Sequence, residues 1–194
     1  TPIYDFFKKN GLSIGIGILA FLFLFKIGEA FLGRMSLIFY KEIGFTKSDI
    51  GIFSKGLGWI TTVLFTLIGG FLTVKIGLVR SIFIAGIFMA VTNLLFSLLF
   101  WTGKNYLIFS IAVILDDLAA AFATVAFVAF ISVLVNRQYT ATQYALLASI
   151  GTLGRTTLAS SSGSLVDYLN GDWGLFFIIT CLMVIPSLIL IFFL

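Results

Sequence analysis

Long apolar runs joined by short polar connections fill the chain almost from end to end. Runs at about 12–40, 48–76, 81–101, 105–135, 141–168 and 173–194 each approach or exceed the roughly 20 residues that a membrane-spanning helix needs. The connections read KEIGFTKSD, KIGLVRS, WTGKN, NRQYT and DYLNGDW. Such continuous runs predict helices. A closed barrel, the other way to satisfy every backbone group in lipid, needs short strands of alternating polarity. The expected fold is therefore an all-α integral membrane protein of six transmembrane helices. Thr46 to Asp49, TKSD, has capping-box spacing with Asp in place of Glu, and predicts the start of the second helix. Residues 1–11 predict a cytoplasmic linker or short interfacial helix, followed by a six-helix unit over 12–194. The run at 12–40 is too long and too charged for a cleaved signal peptide. The chain opens at Thr1 without a methionine and closes inside an apolar run, which reads as a piece of a longer polypeptide.

Composition sharpens the class. Sixty percent of the residues are hydrophobic and 10% are charged, where a soluble domain is about a quarter charged. Mean hydropathy is +1.17. In such a chain the net charge of +4 reports orientation rather than nucleic-acid binding. Lys8, Lys9, Lys75, Arg80 and Arg137 fall on the side of the N-terminus, and Lys41, Lys47 and Lys104 on the other, so both termini are expected in the cytoplasm. Tyr40, Trp101, Tyr106, Tyr168 and Trp173 fall near one set of helix ends, and Tyr4, Tyr139 and Tyr144 near the other, as two interfacial belts would require. Cys181 is the only cysteine and there is no histidine. These counts leave no internal disulfide and little nucleophile, metal or proton-relay chemistry, so no enzyme and no cofactor is expected. The glycines of GLSIGIGIL and LIGGF follow no strand, so they make no nucleotide motif.

The intramembrane charges carry the functional signal. The first helix holds Lys26, Glu29 and Arg34, and the second Lys55. The third holds only Asn93, the fourth Asp116 and Asp117, the fifth Arg155, and the sixth none. The order charged, charged, apolar occurs twice, as two inverted three-helix repeats would give. Lys26, Glu29, Asp116, Asp117 and Arg155 fall near the middle of their runs. A charge at the bilayer centre costs about 2.5–3.5 kcal/mol, so these residues are expected to face one another or water. Lys26 and Glu29, three apart, share a helix face and can pair. Asp116 and Asp117 point about 100° apart on a helix, so one is expected to face a cavity and the other to hold a neighbouring helix, with Arg155 the natural partner. In a partly dry site the neighbours set a carboxylate's charge state. Glu29, Asp116 and Asp117 are therefore the candidate proton carriers. The plainer reading is that these charges lock the bundle, most of all for Lys26 and Arg155, which do not titrate easily near neutral pH. Asn93 reads more simply as helix glue. Lys41, Glu42, Lys47, Asp49, Asp167 and Asp172 read as solvated loop charges.

The loop GGFLTVKIGLVR, Gly69 to Arg80, resembles a degenerate major facilitator signature, with Val74 at the usual acidic position. Six helices with that loop after the second are similar to one half of a major facilitator bundle, its 3+3 inverted repeat included. A cytoplasmic N-terminus suits the C-terminal half. The blocks KIGEAF, GIFSKGLG, TVAFVAF and above all ATQYALLASIGTLGR, Ala141 to Arg155, resemble the C-terminal half of the AmpG-type muropeptide permeases. That family pattern has an acid followed by an amide where this chain has Asp116 and Asp117, which points to Asp116 as the shared acid. The resemblance implies proton-driven import of N-acetylglucosaminyl-anhydromuramyl peptides across the bacterial inner membrane. It also implies a missing N-terminal six-helix half in the same polypeptide. Such cargo carries carboxylates that Lys26, Lys55 and Arg155 can hold, and hydroxyls and amides for Asp116, Asn93 and Gln143. Thr124 completes the expected substrate-facing set. Two other readings stand beside this one: an acetyl-CoA or other organic-anion carrier of the same superfamily, and a non-transporting membrane scaffold.

Overall fold

The computed structural model describes residues 2–136 and 139–193, apart from the side chains of Pro2, Lys55 and Leu57. Arg137, counted above for orientation, lies outside the described residues. The helices are α1 (Pro2–Asn10), α2 (Leu12–Leu24), α3 (Ile27–Glu42), α4 (Lys47–Ile50), α5 (Leu57–Ile76), α6 (Leu78–Thr102), α7 (Tyr106–Leu134), α8 (Thr140–Ala159), α9 (Ser162–Tyr168), α10 (Trp173–Leu182) and α11 (Ile185–Phe193). A π-helical segment, Gly51–Gly56, joins α4 to α5.

Among the described residues, five stretches are long and apolar enough to cross a membrane: Leu12–Glu42, Lys47–Ile76, Leu78–Thr102, Tyr106–Leu134 and Trp173–Phe193. Their bounds follow the hydropathy runs closely. The run at 141–168 differs. Gln143, Arg155 and several threonines dilute α8, and the helix ends at Ser160 before α9 begins. Turn chemistry sets the other ends. Thr46 and Asp49 form the expected reciprocal capping box at α4. Asn105 caps α7 by accepting from the Leu107 and Ile108 N–H groups. Gly77 (φ 88°) and Gly103 (φ 74°) make the turns on either side of α6 in the left-handed region that favours glycine.

Several polar and aromatic residues are not where the run pattern suggested. Tyr40 and Trp173 are buried rather than belted at an interface. With Phe39, Phe109 and Phe177 they form an aromatic cluster whose rings lie 4.7 Å (Phe39–Phe177) and 4.8 Å (Tyr40–Phe109) apart. The Trp173 indole N–H donates to Glu42 at 2.6 Å, so Glu42 is not simply solvated. Asp172 caps α10 by accepting from the Leu175 N–H. Asp49 sits 3.6 Å from Lys104 and accepts a hydrogen bond from Tyr106. The Tyr106 hydroxyl, then Asp49, holds the Lys104 ammonium above the usual lysine range. Trp173→Phe removes the indole donor together with the pyrrole half of a fully buried side chain. It should cost more than about 2 kcal/mol, a lost hydrogen bond to a charged acceptor plus the cavity left in the aromatic cluster, read as a lowered melting temperature of the full-length protein in detergent.

The core is two apolar clusters stacked along the bundle. One gathers Phe21, Leu22, Phe25, Ile82, Met89, Phe122, Phe127 and Leu147 around the end that carries α1. The other gathers Ile27, Phe31, Phe39, Phe96, Phe109, Val113, Trp173 and Phe177 at the opposite end. Each helix that joins both clusters passes through a polar gap between them, and that gap holds the candidate site.

Candidate functional site

On α6, Thr92 and Asn93 separate Met89 of the first cluster from Phe96 of the second. On α7, Asp116 and Asp117 separate Val113 from Ala119. On the first spanning stretch, Lys26 stands between Phe25 and Ile27. The helix is broken there: α2 ends at Leu24, α3 begins at Ile27, and Lys26 has φ −97° and ψ 16°. Irregular backbone at membrane depth is tolerated where it is buried in protein or lines a wet cavity. The last spanning stretch is interrupted too, at Met183 and Val184 between α10 and α11, just before Pro186. The two breaks touch. A Cβ on Gly28 would lie 2.7 Å from Val184 and 3.2 Å from the Asn93 amide nitrogen.

Glu29, in the first turn of α3, is well placed against the positive end of that helix. Its two oxygens engage two cations. Oε2 lies 3.0 Å from Lys26 Nζ, a close ion pair without hydrogen-bond alignment. Oε1 lies 3.5 Å from Arg155 Nη2 on α8. Lys26 Nζ also donates to Thr124 Oγ1 at 2.7 Å, and the Thr124 hydroxyl donates in turn to the Ala120 carbonyl. The i, i+3 pair expected from spacing therefore forms, and Arg155 completes a triad. Arg155 takes Glu29 as its partner where sequence reasoning expected an aspartate. Lys26 and Glu29 side chains keep only 12% and 15% of their surface exposed, against 48% for Arg155. The cationic side of the triad thus reaches open space. Lys26, Thr124, Tyr144, Thr152 and Arg155 line a cleft of about 170 Å³.

The paired aspartates point to different helices, as their angular separation requires, but each engages a neighbouring helix where one was expected to face a cavity. Asp116 is partly buried and accepts from Thr92 Oγ1 at 3.3 Å on α6. Asp117 turns to α5, where Thr61 Oγ1 donates to it at 2.7 Å beside Gly58. Asn93 is 1% exposed, and its Nδ2 has no hydrogen-bond partner among the described residues. Lys55 lies in the π-helical segment, and its side chain is outside the described residues.

Gln143 stands apart from this layer. Its Oε1 accepts the Asn136 backbone N–H at 2.6 Å, and it lines an apolar pocket with Phe6 and Leu147. Residues that sequence reasoning did not single out also meet the layer. Thr92 and Thr61 position the two aspartates, and Tyr144 and Thr152 line the cleft. A hydroxyl within a membrane-length run was the only available signal for the threonines, and such hydroxyls more often bond their own helix. Close packing fixes α8 against the broken stretch. Gly154 lies directly against the Phe23 carbonyl, and a Cβ on Gly151 would come 2.7 Å from the Phe127 ring.

Membrane-length helices joined by partly buried charges define a multi-pass membrane protein. No protein-family model matches the chain. The Rickettsia felis protein AmpG 4, named as a transporter, is 35% identical over 194 residues, covering 100% of this chain and 46% of its own length. The Escherichia coli K12 protein named anhydromuropeptide permease is 32% identical over 192 residues, covering 98% of this chain and 38% of its own length. A Rickettsia prowazekii protein, AmpG 2, is 31% identical over 194 residues. The chain belongs to this AmpG family of permeases. It spans less than half the length of the curated relatives it matches. The permease names weigh against the scaffold reading and against an acetyl-CoA carrier.

Proposed function

We propose that this chain is the C-terminal six-helix half of a major facilitator carrier that brings anhydromuropeptides into the bacterial cytoplasm with protons. The observation that carries the reading is the Lys26–Glu29–Arg155 triad. It lies at a helix break between two apolar cores and opens on a cleft through its arginine. Broken helices at mid-depth are where secondary carriers build their binding sites. The permease name of the Escherichia coli relative supports the cargo class. The α8 segment serves as the fifth spanning helix, its polar residues turned to the cleft and to a preceding six-helix half. Both termini then lie in the cytoplasm, on the side of Lys8, Lys9, Lys75 and Arg80.

In this reading Arg155, Lys26 and Lys55 hold cargo carboxylates and Thr124 meets a hydroxyl or amide, while Asn93, 1% exposed, stays behind the cleft wall. Glu29 and Asp116 are the proton carriers. When a cargo carboxylate takes Arg155, Glu29 is left with Lys26 as its one cation, which couples cargo binding to the carboxylate that carries the proton. Asp116, inside the field of Glu29, exchanges that proton. Asp117 is held by Thr61 and serves the α5–α7 contact first.

The test is uptake of a labelled anhydromuropeptide by cells expressing the full-length parent, with and without a protonophore. Wild type should accumulate the cargo, and the protonophore should abolish accumulation. Asp116→Asn should lose accumulation while keeping exchange of cargo across the membrane. Accumulation that survives both treatments would contradict proton coupling through Asp116.

A further inference from the structure

Arg34 takes no part in the triad. It lies on α3, eight residues beyond Lys26 and eight before the end of the spanning stretch at Glu42. At 1.5 Å per residue it is about 12 Å from either point. Its side chain is exposed, and among the described residues no carboxylate lies within ion-pair distance of it. A guanidinium at that depth is costly against lipid and is expected to face water or a partner.

Its surroundings are specific. Arg34 and Arg155 line one depression of about 290 Å³, walled by the small residues Ala30, Gly33 and Ala159 and by Thr156. A Cβ on Gly33 would meet nothing within 4 Å, so the space there is open. Arg155 Nη2 lies 3.5 Å from Glu29, and the guanidinium makes no hydrogen bond among the described residues, with 48% of its side chain exposed to this space. The adjoining cleft brings Lys26 to the same guanidinium. Two guanidinium groups therefore line this depression and Lys26 lines the cleft beside it, and among the described residues Glu29 is the carboxylate paired with Lys26 and Arg155. Two guanidinium groups facing one depression repel unless an anion lies between them. Their planar forks suit a carboxylate held by parallel N–H donors.

We propose that Arg34 and Arg155 together form a receptor for a carboxylate on the peptide part of the cargo, with Arg34 the residue that makes the site selective for the charged form. This rests on the reading of the chain as part of a muropeptide carrier. Arg155 links the receptor to Glu29, and Arg34 adds binding without touching the proton-carrying groups.

The experiment is calorimetric binding to the purified full-length parent of N-acetylglucosaminyl-anhydromuramyl tripeptide, in its free-acid form and with its peptide carboxyls amidated. Wild type should prefer the free acid. Arg34→Gln should cut that preference about tenfold, the scale of one charge-assisted hydrogen bond, with the loss falling mainly on the free acid. A melting temperature equal to wild type shows the variant to be folded. Arg34→Lys, which keeps the charge but not the fork, should fall between them. The proposal is overturned if wild type binds neither form or shows no preference. It is also overturned if Arg34→Gln binds the free acid as wild type does, or weakens both forms equally. Uptake in cells separates this from the wider reading. Arg34-dependent binding without transport would sink the carrier, and transport indifferent to Arg34 would sink this site alone.

Discussion

Gly154→Ala should prevent α8 from seating on the first spanning stretch. The added methyl would overlap the Phe23 carbonyl oxygen and lie 2.8 Å from the Phe23 carbonyl carbon and 2.9 Å from its Cα. These are backbone atoms, so no rotamer change relieves the clash. Helix α8 must move away from α2, carrying Arg155 with it. Overpacking of this kind costs about 3 kcal/mol, and here it should lower the yield of folded full-length protein and abolish uptake. Gly70→Ala is the matched control. Its Cβ would meet only Val125 at 3.9 Å, and in a helix the change should be neutral or stabilising by about 0.5–1 kcal/mol. Normal folding of Gly154→Ala would mean that α8 and α2 do not pack this closely.

Glu29→Gln should be the most damaging single charge removal. It leaves Lys26, with 12% of its side-chain surface exposed, without its carboxylate, and removes the partner of Arg155 as well. Stripping one member from a fully buried pair costs about 3–5 kcal/mol; here Lys26 keeps Thr124 and reaches the cleft, so the loss should be about 2 kcal/mol. The Arg155 side of the triad contributes less, since that side chain is 48% exposed and screened. Arg155→Gln should therefore cost under about 1 kcal/mol of stability and still impair uptake. The contrast in melting temperature between the two variants, measured on full-length protein in detergent, checks the assignment. Equal loss of stability would place Arg155 in the fold rather than in the cleft.

The spanning stretches were legible because lipid leaves the chain few choices. A long apolar run must be a helix, and its length is set by the bilayer. The Lys26–Glu29 pair was legible from its spacing alone, and so was the TKSD capping box. The break at Lys26 was not, because KIGEAF contains no proline and its glycine lies two residues past the break. What opens the helix there is tertiary: Gly28 packs on Val184 and Asn93, and Glu29 is drawn to Arg155. The weak fifth run at 141–168 carried its own signal, since its polar residues lower the apolar character of α8 while serving the cleft. Arg155 was expected to meet an aspartate because those acids are the more conspicuous pair. Helix rotation instead turns Asp116 toward α6 and Asp117 toward α5. Tyr40 and Trp173 lie at the helix ends, as belt residues do, but burial in an aromatic cluster is a matter of packing that position along the chain does not encode.

The measurement that bears most directly on the triad as the working part of a carrier is cargo-driven proton movement. Full-length parent is reconstituted in proteoliposomes without a pH gradient, and anhydromuropeptide is added outside. The account predicts that the outer medium becomes alkaline as cargo and protons enter together, and that Glu29→Gln and Asp116→Asn remove this signal. Cargo entry with no proton uptake, or an unchanged signal in both variants, would contradict it.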